Sequence, residues 1–250
     1  MKTTPHLYDP HAALKEFTRA RIAIGRAGVS IPLQQSLDFK LAHAHARDAV
    51  YSNLDTDKLP EMLKVFNLPV LTVRSKAQTR QKYLKRPDLG RSLDESSIAL
   101  LDTYAGSYDV VFIIADGLSA TAVNENTVPL LELLLPALSA EKLKIAPVCL
   151  AEQGRVALGD DIAGRLGAKF SIMLIGERPG LSAADSMGAY LTYNPKPGLT
   201  DESRNCVSNI RPHGLKHKPA ADKIFYLVTE AFKRKLSGVA LKDNAGLIGE

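Results

Sequence analysis

The sequence predicts an α/β fold: a parallel β-sheet flanked by helices, preceded by a helical N-terminal region and an arm. Three observations carry this expectation. Short apolar runs rich in β-branched residues occur at 109–115, 145–150 and 169–175. Helix-period patterns separate them, over about 118–135 and 155–166. The links are short, which favours right-handed strand–helix–strand crossovers within one sheet.

The elements follow in chain order. Residues 1–20 read as an arm broken by Pro5 and Pro10, with a short helix starting near His11. A helix is expected from Pro32 to about Val50. Proline suits a first helical position, and Leu33, Leu37, Leu41 and Ala44 give one apolar face. Residues 52–60 read as loop. The stretch 74–104 reads as helix, interrupted by a turn at 86–90. The run 109–115 ends on Asp116-Gly117 and suits a strand buried on both faces. After the third run come a strand at 189–193, a Pro/Gly loop at 194–200 and a short apolar piece at 206–210. A final helix at about 219–236 stops before Gly238. The change of pattern at Tyr108 divides the chain into an arm and helical region (1–105) and an α/β domain (106–250).

Composition narrows the function classes. The chain has 250 residues, 45% hydrophobic and 24% charged, which excludes disorder, collagen and coiled coil as whole-chain answers. Two cysteines, Cys149 and Cys206, with no CxxC spacing, argue against a disulfide scaffold or structural zinc. A reducing cytoplasm fits. No apolar run is long enough to span a bilayer, and the N-terminus lacks a signal-peptide pattern. His43 and His45 lie two apart, poor geometry for a shared metal on a helix.

The net charge is +5. Residues 1–100 carry 16 basic and 10 acidic side chains; residues 101–250 carry 16 and 17. Seven basic residues between Arg74 and Arg91 face one acid, Asp88. Such a stretch suits a solvated helix face or an acidic partner surface. Its single aromatic, Tyr83, gives no stacking platform for single-stranded nucleic acid.

In open parallel sheets ligands bind beyond the carboxyl ends of the strands. That rule selects the loops 116–119, 151–155 and 176–180. The third sets Glu177 and Arg178 between two glycines, a carboxylate to accept N–H donors and a guanidinium to clamp an anion. A tight turn with a surface ion pair is the plainer alternative. Ser119 reads as a helix N-cap. The fingerprints GxGxxG, GxxxxGK(S/T) and GxSxG are absent.

Several longer stretches resemble one family. VALGDDI (156–162), GERPGLSAADSMGAYLTY (176–193), RNCVSNIR (204–211), IADGLSATAV (114–123), RPDLGR (86–91), RIAIGRAG (21–28) and HAHARDAV (43–50) are similar to the small, or light, subunit of ethanolamine ammonia-lyase. The similarity runs from about Arg19 to Lys242. The resemblance implies a Rossmann-like α/β domain at 106–250 that contacts cobalamin. It implies a lyase converting ethanolamine to acetaldehyde and ammonia with adenosylcobalamin. A large TIM-barrel subunit holds the substrate and the radical chemistry, and heterodimers join into larger assemblies. Family cobalamin contacts map onto Val156, Glu177 and Cys206; no catalytic residue maps onto this chain. The motif DxHxxG, which marks replacement of cobalamin's own base, is absent, so base-on binding is expected, with no metal ligand from this chain. No nucleic acid or membrane partner is implied, and some members occupy a bacterial microcompartment. The alternatives are a free-standing enzyme with Arg178 as anion clamp, and a nucleic-acid module built on 74–91.

Overall fold

The computed structural model describes residues 11–18 and 20–243. The first ten residues of the expected arm lie outside them. A 3₁₀ turn at Ala12–Glu16 stands where a short helix was expected. Helix α1 (Leu33–Tyr51) follows, then α2 (Lys58–Leu63), β1 (Val70–Arg74), α3 (Arg80–Lys85) and α4 (Glu95–Thr103). The second half contains β2 (Tyr108–Ala115), α5 (Ala120–Ala140), β3 (Val148–Glu152), α6 (Leu158–Leu166) and β4 (Ala168–Gly176). It continues with β5 (Met187–Tyr193), β6 (Asn205–Ile210) and α7 (His217–Arg234). No helix of the described residues is long and apolar enough to cross a membrane.

One six-stranded sheet runs in the order β1-β3-β2-β4-β5-β6. The first four strands are parallel, as the crossovers α5 and α6 require. The expectation of a parallel sheet throughout is corrected at β5 and β6, which pair antiparallel. The physical reason lies in the link 177–186. It is too short and carries no helix, and a parallel return needs a crossover of about a dozen residues or more. The chain therefore turns back directly beside β4.

A second correction concerns 74–104. Strand β1 ends at Arg74 and pairs with β3, and the expected helix is split into α3, a 3₁₀ turn at Leu89–Arg91 and α4. Thr79 and Asp94 cap the two short helices by accepting from Lys82 N and Ser97 N. The sheet draws strands from both sides of 105–106, because β1 comes from the region before it.

Two apolar layers hold the sheet. On one face α5 and α7 cover β2, β4, β5 and β6, through Phe112, Phe170, Leu191, Leu134 and Ile224. On the other, α4 and α6 pack on β1, β2 and β4, through Val111, Ile113, Cys149 and Ile162. Cys149 is strand core, and burial pushes its thiol up to about 12. The second layer stops short of β6, whose Cys206 and Ser208 are exposed. The final helix ends earlier than expected, on Lys235 in the left-handed region.

The apolar stripe of α1 does not join either layer. Leu33, Leu37 and Leu41 are 74%, 49% and 57% exposed, and Ala49 is the buried residue of that helix. Phe17, Val29 and Ile31 nearby are exposed as well.

Candidate functional site

The loops after β2, β3 and β4 meet at one edge of the sheet. Asp116 closes β2. It is buried, and its carboxylate accepts from Gln153 N (2.9 Å) and Gly154 N (3.1 Å) in the loop after β3. Burial pushes this carboxyl up to about 6, against the pull of those N–H donors and of Arg80. Gly117 follows with φ +55°, and a Cβ there would fall 2.3 Å from Gly176 O. Only glycine allows the loop after β2 to lie against the end of β4, where Leu118 N donates to Gly176 O (2.8 Å). Ser119 caps α5 as expected, accepting from Ala122 N and donating to Ala184 O (2.7 Å).

Arg80 binds this edge to the rest of the chain. Its Nε donates to Val50 O (2.6 Å) near the end of α1, and its Nη1 donates to Gly117 O (2.7 Å). The same nitrogen lies 3.8 Å from Asp116 Oδ2. The guanidinium rests over the ring of Tyr83, 4.8 Å from its centroid, and Arg155 rests over the same ring at 4.1 Å. Tyr83 is buried, with its hydroxyl donating to Gly154 O (3.2 Å). Burial pushes its phenol up to about 12. Gly90 permits the stacking: its carbonyl accepts from Arg155 N (2.8 Å), and a Cβ there would sit 2.8 Å from Arg155 Cγ.

Glu177 stands just beyond β4, and its carboxylate is held from β5 and β6. Ser208 Oγ donates to Oε1 (2.5 Å), Ser186 Oγ to Oε2 (2.5 Å) and Asn209 N to Oε2 (3.2 Å). A register shift opposite Gly188 turns the β6 donors toward it, with Asn209 in the left-handed region at φ +61°. Gly188 supplies the space, because a Cβ would meet Glu177 Oε1 at 3.0 Å. A carboxylate has about four acceptor positions. Three donors leave Oε1 able to accept one more hydrogen bond.

Two depressions open along this edge. One, of about 340 Å³, is lined by Tyr83, Gly117, Arg155, Val156, Glu177 and Tyr190 among others. The other, of about 680 Å³, shares Arg155, Val156 and Tyr190 and continues along Arg91 and the loop 197–201. That loop is fixed by Arg204, which reaches back from just before β6 to Asp160 on α6 through two hydrogen bonds (2.7 and 2.6 Å). Arg204 also donates to Leu199 O (3.0 Å). Burial raises the Asp160 carboxyl, against the opposing pull of the Arg204 hydrogen bond.

Of the three residues singled out from the sequence, Val156 and Glu177 line the smaller depression. Cys206 stands beside it rather than in its wall. It is the cross-strand partner of Tyr190, which does line it. Burial pushes the Tyr190 phenol up to about 12. Sequence reasoning did not single out Asp116, Tyr83, Tyr190 or Gly188. The pattern strand–Asp-Gly could have flagged Asp116, since a buried carboxylate at a strand end commonly holds neighbouring loop amides.

Comparison with known proteins gives this edge a family. The sequence model of the ethanolamine ammonia-lyase light chain matches residues 8–242. The ethanolamine ammonia-lyase small subunit of Pseudomonas fluorescens (strain Pf0-1) is 51% identical over 241 residues, covering 95% of this chain and 88% of that protein. The small subunit of Azotobacter vinelandii (strain DJ) is 49% identical over 246 residues, covering 97% and 91%. That of Ralstonia nicotianae (strain GMI1000) is 48% identical over 241 residues, covering 95% and 89%. With a match over nearly the whole chain and relatives at about half identity, the chain belongs to the ethanolamine ammonia-lyase light chain family.

Proposed function

We propose that this chain is the small subunit of an adenosylcobalamin-dependent ethanolamine ammonia-lyase, which releases acetaldehyde and ammonia from ethanolamine. It closes the cobalamin site against a large subunit that carries the substrate and the radical chemistry. The observation that carries the reading is the convergence of Val156 and Glu177 on one depression, with Cys206 at its border through Tyr190.

The donor set suits a corrin. Its amide side chains need acceptors, and Glu177 retains one acceptor position on Oε1 while its other positions are held by the chain itself. Val156 and Tyr190 offer apolar contact beside it. The exposed face of β6 leaves room for a flat ring system. When bound, adenosylcobalamin supplies a carbon-centred radical by homolysis of its cobalt–carbon bond, and that chemistry belongs to the cofactor. The chain's share is a rigid wall. Asp116, Gly117 and Glu177 fix three loops in place, and a closed wall keeps water from a reactive site. The sequence carries no DxHxxG motif, so a bound cobalamin would take no cobalt ligand of that kind from this chain, in keeping with the base-on expectation.

The exposed stripe of α1 is assigned to assembly, on the large subunit or a neighbouring heterodimer. The proposed location is the cytoplasm, or a bacterial microcompartment within it. Co-expression with the large subunit tests the function. Acetaldehyde should form from ethanolamine only when both chains and adenosylcobalamin are present. Turnover by the large subunit alone at the same rate would overturn the reading.

A further inference from the structure

We propose that Arg155 is an anion-binding residue, receiving a phosphodiester where the two depressions meet. This rests on the cobalamin reading, since the nucleotide loop of adenosylcobalamin carries a phosphodiester.

Charge pairing around the two depressions is uneven. Each acid in their walls already has partners within the chain. Asp161 pairs with Arg165 (3.0 Å), Asp201 lies 3.5 Å from Arg204, and Glu177 holds three donors. The arginines of the same walls are different. Arg155, Arg91 and Arg178 have no ion pair among the described residues, whereas Arg74, Arg80, Arg86, Arg165, Arg204 and Arg211 each have at least one. The hollow therefore carries uncompensated positive charge, which attracts an anion.

Among those arginines Arg155 alone lines both depressions. It is half-buried and held in place from three sides. Its backbone N–H is taken by Gly90 O, its guanidinium lies on Tyr83, and its Nη2 donates to Tyr83 O (3.1 Å). Its Nε is buried with no acceptor. Arg80, over the same ring, adds repulsion, and the carboxylate of Asp116 is engaged by Gln153, Gly154 and Arg80. A fixed guanidinium with no counter-charge, lining both depressions, suits the anionic oxygens of a phosphodiester.

The test uses the complex with the large subunit and two probes: adenosylcobalamin, and adenosylcobinamide, which lacks the nucleotide loop and its phosphodiester. Arg155→Met should weaken adenosylcobalamin binding about tenfold or more and leave adenosylcobinamide within about twofold. Arg155→Lys, which keeps the charge and loses the fork, should fall between. Equal weakening of both probes, or no weakening of either, overturns the assignment. If Arg155→Met fails to assemble, the Lys variant decides by the same selectivity. A wild-type complex that binds neither probe overturns the cobalamin reading itself, a result distinguishable from failure at Arg155.

Discussion

Ser208 on β6 donates its hydroxyl to Oε1 of Glu177 at the end of β4, 2.5 Å away. The contact crosses β5 and depends on the register shift opposite Gly188. It fixes a carboxylate in the wall of the depression while leaving it one acceptor position. Replacing Glu177 with Ala should weaken adenosylcobalamin binding by about tenfold, the scale of a charged hydrogen bond, with smaller effect on turnover at saturating cofactor. Spectral titration of the complex, paired with saturated rates, checks both halves. Unchanged affinity would remove Glu177 from the site.

Asp116 predicts a pH signature. Its carboxyl stands at about 6 in the fold, against an ordinary 3.8. Between those values the folded chain binds more protons than the unfolded chain. Stability contributed by this group therefore falls as pH rises through that window, and the charged form costs about 3 kcal/mol at neutral pH. Compared with Asp116→Asn, the wild-type chain should gain about 2 kcal/mol between pH 7.5 and 4.5 in urea unfolding. Parallel pH profiles for the two proteins would contradict the assignment.

Arg204, just before β6, and Asp160 on α6 form a buried pair. Removing one partner strands the other charge without water. Arg204→Ala should destabilise the chain by about 3–5 kcal/mol. The loop at 197–201 should loosen with it, visible as faster amide exchange at Leu199–Asp201. A loss below about 1 kcal/mol would mean that the pair is solvated in solution.

The leucines of α1 predict an assembly defect without a folding defect. Changing Leu33, Leu37 and Leu41 to Ser should leave the chain's own unfolding midpoint nearly unchanged, because these side chains are exposed. Binding to the large subunit, or association of heterodimers, should be lost, as should follow from deleting residues 1–30. Sedimentation of the reconstituted complex reads this out. Full assembly by both altered chains would leave the stripe without that role.

Much of the α/β core was legible because buried strands announce themselves: β2 and β4 carry continuous apolar runs at 110–115 and 172–175, between helical patterns. Strand β1 was not. It is a five-residue edge strand with alternating burial, joined directly to a basic stretch whose charge dominates the pattern. Glu177 was reachable by topology, since the end of β4 selects its loop, and Val156 lies one residue beyond the loop selected after β3. The placement of Cys206 was not, because it depends on antiparallel pairing and a register shift that leave little trace in composition. Tyr83 was hidden for a related reason. Its burial between two arginines depends on Arg155, which is distant from α3 in sequence and seated by Gly90.

The central claim is that the edge built on β3, β4 and β6 forms one wall of the cobalamin site. An electron cryo-microscopy map of the complex with adenosylcobalamin tests it most directly. The account predicts corrin density in contact with Val156, Glu177 and Cys206. Density enclosed wholly by the large subunit, with those three residues facing solvent, would contradict it.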